Sequence, residues 1–135
     1  MLKRAGRGVP LLLIAACAFL VSACATTLPA IDETLGAAET FQRAQDAADR
    51  GDLEVALQYY TLFRKNHPDD RDRGAWASYE IAFLYHRMGR DDTALSLFNE
   101  LLALYAKEGD ALPPGPRILA EKLAALIGGN ANKAP

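Results

Sequence analysis

The chain is predicted to be all-α, a solenoid of antiparallel helical hairpins, on three observations. From residue 32 to residue 127 apolar residues recur at helical spacing, and no run alternates as a half-buried strand would. Ala, Leu, Glu and Arg, all strong helix formers, dominate that stretch. The breakers come in a regular order: Gly51, Pro68, Gly89, then Pro113-Pro114-Gly115-Pro116. A short glycine turn followed by a proline break describes a hairpin, and the order occurs twice.

The first helix is expected from about Asp32 to Arg50. Gly51 stops it, because the residue after a last helical turn often takes a left-handed conformation that glycine adopts without strain. The second runs from Asp52 to Asn66 and ends at Pro68, with Leu53, Ala56, Leu57, Tyr60 and Phe63 on one face. The third spans about Asp70 to Met88, with Asp70 or Asp72 as its cap and Gly89 as its stop. The fourth runs from Asp91 to about Ala106 and gathers Ala94, Leu95, Phe98, Leu101, Leu102 and Tyr105 on one face. After the proline-rich break a fifth helix, about Pro116 to Ile127, carries Ile118, Leu119, Leu123, Leu126 and Ile127, with Glu121 and Lys122 as its polar residues. It is expected to cap the stack. Gly128-Gly129 are expected to end it, leaving 129–135 as a disordered tail.

The repeat is explicit. Gly51, Ala56, Leu57 and Tyr60 recur 38 residues later as Gly89, Ala94, Leu95 and Phe98. Ile81, Ala82 and Tyr85 recur at the same interval as Leu119, Ala120 and Leu123, so a third copy contributes only its first helix. Gly51-Asp52-x-x-x-Ala56-Leu57-x-x-Tyr60-x-x-Phe63-x-x-x-x-Pro68 resembles a tetratricopeptide repeat, as does Gly89-Arg90-x-x-x-Ala94-Leu95-x-x-Phe98-x-x-Leu101. Ala44 and Ala82 stand at the small position of the first helices. Such repeats have a period of about 34 residues, so the spacing here is longer, and the second copy lacks the terminal proline. The resemblance covers Ala37 to about Ile127 and implies about two repeats plus the capping helix. In a solenoid each hairpin leaves a side open until a neighbour covers it.

The N-terminal region has a different character. Lys3, Arg4 and Arg7 precede an apolar run from Leu11 to Val21 that is short for a membrane span. Val21-Ser22-Ala23-Cys24 follows, and the segment resembles a bacterial lipoprotein signal peptide with its lipobox. Residues 1–23 are then expected to be removed, and Cys24 to be acylated. Residues 24–31 form a lipidated tether and 32–128 the helical domain. An ordinary secretory signal ending at Ala23, and an uncleaved anchor, are the alternatives. Ile14-Ala15-Ala16-Cys17 also resembles a lipobox but would leave too short an apolar run. Ala25 after the cysteine, rather than Asp, favours the outer membrane by resemblance to Gram-negative sorting, facing the periplasm.

Charge and cysteine narrow the function classes. Beyond residue 23 the chain has twelve cationic side chains against seventeen carboxylates, a net of −5. That balance argues against nucleic acid and against electrostatic docking on anionic lipid. No cysteine follows Cys24, so neither a disulfide nor a thiolate site is available to the folded part. His67 and His86 are the only histidines and lie 19 residues apart, without the spacing of a metal site. Glu39, Glu80 and Glu100 are isolated, so no carboxylate pair suggests general acid–base work. No enzyme activity, no small-molecule substrate and no cofactor is expected, apart from the covalent lipid on Cys24.

One stripe of the third helix draws attention: Trp76, Tyr79, Phe83 and His86. Ile81, Ala82, Tyr85 and Met88 form a second stripe, suited to packing inside the hairpin. In tetratricopeptide domains the first helix of each hairpin lines a concave groove. The resemblance therefore implies a partner-binding set of Phe41 and Gln45, then Trp76, Tyr79, Phe83 and His86, then Arg117 and Glu121. Aromatic side chains at such positions would bind a peptide by burying apolar area. The competing expectation is that Trp76 and Phe83 serve mainly in packing between repeats, with Tyr79 and His86 facing solvent. The resemblance implies a membrane-tethered adaptor that holds a partner polypeptide in the cell envelope. The alternative is an obligate structural subunit of an envelope assembly or secretion complex.

Overall fold

The computed structural model describes residues 30–131 and contains five α-helices: α1 (Ala37–Arg50), α2 (Leu53–Asn66), α3 (Arg71–Arg87), α4 (Asp91–Glu108) and α5 (Pro114–Ala131). A single 3-10 turn, Gly109–Ala111, joins α4 to α5. No strand occurs among the described residues. The chain is thus an all-α stack of helical hairpins, α1 against α2 and α3 against α4, with α5 packed on the second hairpin.

The 38-residue repeat extends to single hydrogen bonds. At the first turn Asp52 N–H donates to the Ala47 carbonyl at 2.9 Å and Gly51 N–H to Ala48 at 3.1 Å. At the second, Arg90 N–H donates to Tyr85 and Gly89 N–H to His86, both at 2.9 Å. Every donor and acceptor is shifted by the same interval. Gly51 (φ 84°) and Gly89 (φ 74°) are both left-handed, as this closure requires. The small positions repeat as well: Ala44, Ala82 and Ala120 are fully buried, and so are Ala56 and Ala94. With no side chain beyond Cβ, the paired helices can approach closely.

The interior divides into two clusters, and α3 supplies both. Ala77, Ile81 and Leu84 join Ala44, Ala47, Ala56, Tyr60 and Phe63. Ala75, Tyr79 and Ala82 join Ala94, Phe98, Leu101, Tyr105, Ala120 and Ile127. Positions 75 and 77 lie about 200° apart around a helix, so the two sets occupy opposite faces. This corrects the stripes expected from sequence, which put Ile81 with Ala82 and left Tyr79 to solvent. A helix in the middle of a stack is buried on two sides and loses the one-sided pattern that makes stripes legible.

Element ends differ from expectation at both extremities. α1 begins at Ala37 rather than Asp32. The Asp32 carboxylate accepts from both the N–H (2.9 Å) and the hydroxyl (2.6 Å) of Thr34, which holds a turn in place of helix. α5 begins two residues early, because Pro114 suits a first helical position whose N–H has no partner. At its other end the helix does not stop at Gly128-Gly129 but continues to Ala131, so the tail expected from residue 129 is helical for its first three residues. Asp70 does cap α3, accepting from Arg73 N–H at 3.2 Å.

Candidate functional site

The aromatic residues of α3 form a continuous ladder. Trp76 meets Tyr79 edge-on with centroids 6.2 Å apart, and Tyr79 stacks on Phe83 at 6.0 Å and 11°. Phe83 lies 6.5 Å from His86. Tyr79, however, is only 7% exposed and reaches Phe98 at 5.9 Å, so the residue expected to face solvent is a core residue. Burial, with the nearby Glu80 charge, pushes its phenol pKa up. Trp76, Phe83 and His86 are half-buried, and Trp76 and Phe83 pack against the second cluster.

The other residues of the expected set occupy distinct settings. Phe41 is half-buried and turns inward, edge-on to Tyr60 at 5.3 Å and to Phe63 at 5.2 Å. Gln45 is exposed. Arg117 and Glu121 are exposed and pair with each other along α5 at 3.3 Å. The register 41, 79, 117 thus passes from a half-buried Phe through a buried Tyr to an exposed Arg, because cover is lost at the end of the stack.

Two residues bearing on this set were not singled out from sequence. Asp91, in the first turn of α4, accepts from His86 Nδ1 at 2.6 Å and closes the α3–α4 turn. An acid at a helix start beside a histidine at a helix end was the available signal, since each complements the local dipole. Gly115 faces Trp76 so closely that a Cβ there would lie 2.7 Å from ring atom Cζ2. Its place in a proline-rich break concealed that role.

A recessed surface lies on α2, α3 and α4. α2 and α4 both pack on α3, which leaves a furrow between them. One depression, of about 460 Å³, is walled by Leu57, Thr61, Ile81, Tyr85 and Leu97, with Arg64 and Lys65 on its rim. A second, of about 380 Å³, shares Leu57, Thr61, Lys65 and Tyr85 and adds Leu62 and Ile31. A further recess of about 280 Å³ sits at the α2–α3 loop beside His67, whose Nε2 is buried without a partner among the described residues. There Arg71 of α3 pairs with Glu108 of α4. Among the described residues no group of three His, Cys, Asp or Glu side chains is placed to hold a metal ion. No helix there is long and apolar enough to cross a membrane.

Stacked antiparallel hairpins with alanine crossings and glycine turns define a helical-repeat scaffold. Within it the family model for the tetratricopeptide repeat matches residues 76–107, which is the α3–α4 hairpin from Trp76 to Lys107. The chain therefore carries a tetratricopeptide-like repeat, a kind of module that typically mediates protein–protein interaction rather than catalysis. No match was found among curated proteins or among solved structures. Cys24, the cleavage site before it and all but the last two tether residues lie outside the described residues.

Proposed function

We propose that the chain is a membrane-tethered adaptor of the bacterial cell envelope, lipid-anchored through Cys24 to the outer membrane and facing the periplasm, and that its helical domain binds a partner polypeptide. The carrying observation is the tetratricopeptide match at residues 76–107 on a hairpin stack. The sequence Val21-Ser22-Ala23-Cys24, placed after a basic segment and an apolar run, supports the anchor. A single acyl chain anchors only marginally, whereas two or more hold a domain at a bilayer. A tether of eight residues, at roughly 3.3 Å each when extended, keeps the domain close to the surface.

Metabolic labelling with a palmitate analogue tests the anchor. Wild-type chain takes up label and fractionates with outer membrane, whereas Cys24→Ser takes up none and accumulates as unprocessed precursor. Persistent label on the Ser variant would refute acylation at this position.

The obligate-subunit reading has one observation in its favour. Ile118 (46% exposed) and Leu126 (55% exposed) stand uncovered on α5, the last helix of the stack. An adaptor remains monomeric and folded when purified alone; an obligate subunit aggregates or fails to fold without its complex.

A further inference from the structure

The furrow between α2 and α4 lies among the second helices of the hairpins, away from the α1 and α5 residues of the expected partner-binding set. Its floor is apolar: Leu57 from α2, Ile81 and Tyr85 from α3 and Leu97 from α4. Leu57, Tyr85 and Leu97 are half-buried, so part of each still meets solvent. Tyr85 is held in place by Arg90, whose guanidinium lies 4.6 Å above the ring.

A second depression, which shares Leu57, Thr61, Lys65 and Tyr85 with the first, borders one end of the furrow. The described N-terminal segment turns back along α2, with the Asn66 side-chain amide donating to the Glu33 carbonyl at 3.4 Å. Ile31, on non-helical backbone just before this point, lines the same depression as Leu57, Thr61 and Tyr85. Leu62 lies there too: it is 6% exposed yet belongs to neither core cluster. Non-helical backbone therefore already runs beside this surface and contributes an aliphatic side chain, Ile31, to its wall.

Charge specifies the rest. The rim carries Arg64 and Lys65, both exposed, and no carboxylate lines either depression. Among the described residues neither cation has an ion-pair partner, as is also the case for Arg87, Arg90, Lys107 and Lys122, but only Arg64 and Lys65 line the furrow. In a domain whose net charge is negative, two unpaired cations beside an apolar furrow mark a local preference for an acidic ligand.

We infer that the α2–α4 furrow docks an extended acidic segment of a partner protein, which sets aliphatic side chains at alternate positions against Leu57, Tyr85 and Leu97 and carboxylates against Arg64 and Lys65. Alternation follows from extended backbone, in which every second side chain points to the same face. The inference rests on the adaptor reading and gives that adaptor a surface other than the aromatic ladder.

Selection from a displayed random-peptide library on the immobilised full chain, followed by anisotropy measurements on the selected peptides, tests it. The expected peptides combine Asp or Glu with alternating aliphatic residues. Their affinity falls about tenfold or more with Leu97→Asp and with Arg64→Glu combined with Lys65→Glu. Added salt weakens the wild-type complex. Arg43→Glu with Glu39→Arg, a swap of an exposed pair on α1, leaves affinity unchanged. Because Arg64 and Lys65 are exposed, their variant keeps the fold and the test stands even if Leu97→Asp does not fold. Selected peptides that bind the Arg64/Lys65 variant at full strength overturn the furrow assignment and leave the adaptor reading intact. Failure to select any peptide, with wild type and with Ile31→Asp, overturns both. Binding that appears only with Ile31→Asp overturns the partner assignment, since the chain's own segment is then the occupant.

Discussion

The first hairpin, α1–α2, has α3 on one side, whereas the second, α3–α4, is covered by the first hairpin on one side and by α5 on the other. Their local geometry is nearly the same. Each has fully buried alanines at the crossing, a left-handed glycine at the turn and a buried aromatic in the second helix, Tyr60 or Phe98. What differs is enclosure. The first cluster has an open edge where Phe41 stands half-buried against Tyr60 and Phe63. The second is closed by Ala120 and Ile127 of α5 and by Leu112. Equivalent residues in a repeat therefore do not make equivalent contributions, because half of each residue's surroundings comes from the neighbouring unit.

The largest expected effect tests that statement directly. Phe63 and Phe98 are both fully buried, and truncating either to Ala removes the same atoms. Phe→Ala in a core costs about 3–5 kcal/mol, depending on how well the site can collapse. Phe98→Ala, in the enclosed cluster, is expected near the upper end and Phe63→Ala, beside the open edge, near the lower, read from urea unfolding. Equal or reversed values would show that enclosure by α5 does not stiffen the second core.

A smaller, paired effect sharpens the role of α5. Gly115→Ala drives a Cβ into the Trp76 ring and is expected to cost about 1–3 kcal/mol. Trp76 is the only tryptophan, so its fluorescence reports the shift in the same experiment. Gly128→Ala, in the same helix with open space around its Cα, is expected to gain up to about 1 kcal/mol from helix propensity. Two glycines in one helix should thus move stability in opposite directions, and a gain at Gly115 would place the Trp76 contact in doubt.

The smallest effect concerns the edge of the first cluster. Burial raises the Glu80 carboxyl pKa above its ordinary value; Arg87 opposes the shift and Asp49 adds to it. A carboxyl with a raised folded pKa gives stability that is complete below the unfolded value near 4.5 and is lost as pH rises through the folded one. Glu80→Gln is therefore expected to melt slightly above wild type at neutral pH and level with it near pH 4. A gap that widens on acidification would reverse the assigned direction.

Much of the fold was legible because repetition doubles every local signal. Gly51 and Gly89, Ala56 and Ala94, and Tyr60 and Phe98 each confirm the other's role. Legibility failed where a residue's setting depended on something distant in sequence. The α3 stripes do not follow helical periodicity alone, because Ile81 faces α1–α2 while Ala82 faces α4–α5. The burial of Tyr79 is not legible in sequence, because nothing near it announces Phe98. The furrow is not legible from sequence, since Leu57 and Tyr85 read as ordinary packing positions of their own helices and Leu97 falls outside the apolar face of α4.

The helices, the two turns, the 38-residue interval and the small residues at the crossings can all be read from the amino-acid sequence. All of these rest on backbone preference and short-range periodicity, which act within a few residues. Which face of α3 meets which neighbour, the room that Gly115 makes for Trp76, the His86–Asp91 closure of a turn and the return of Ile31 beside α2 emerge only once the helices are stacked. Those outcomes depend on how one hairpin seats against the next. That seating is set by side-chain volumes in contact across the stack, which no local stretch of the chain contains.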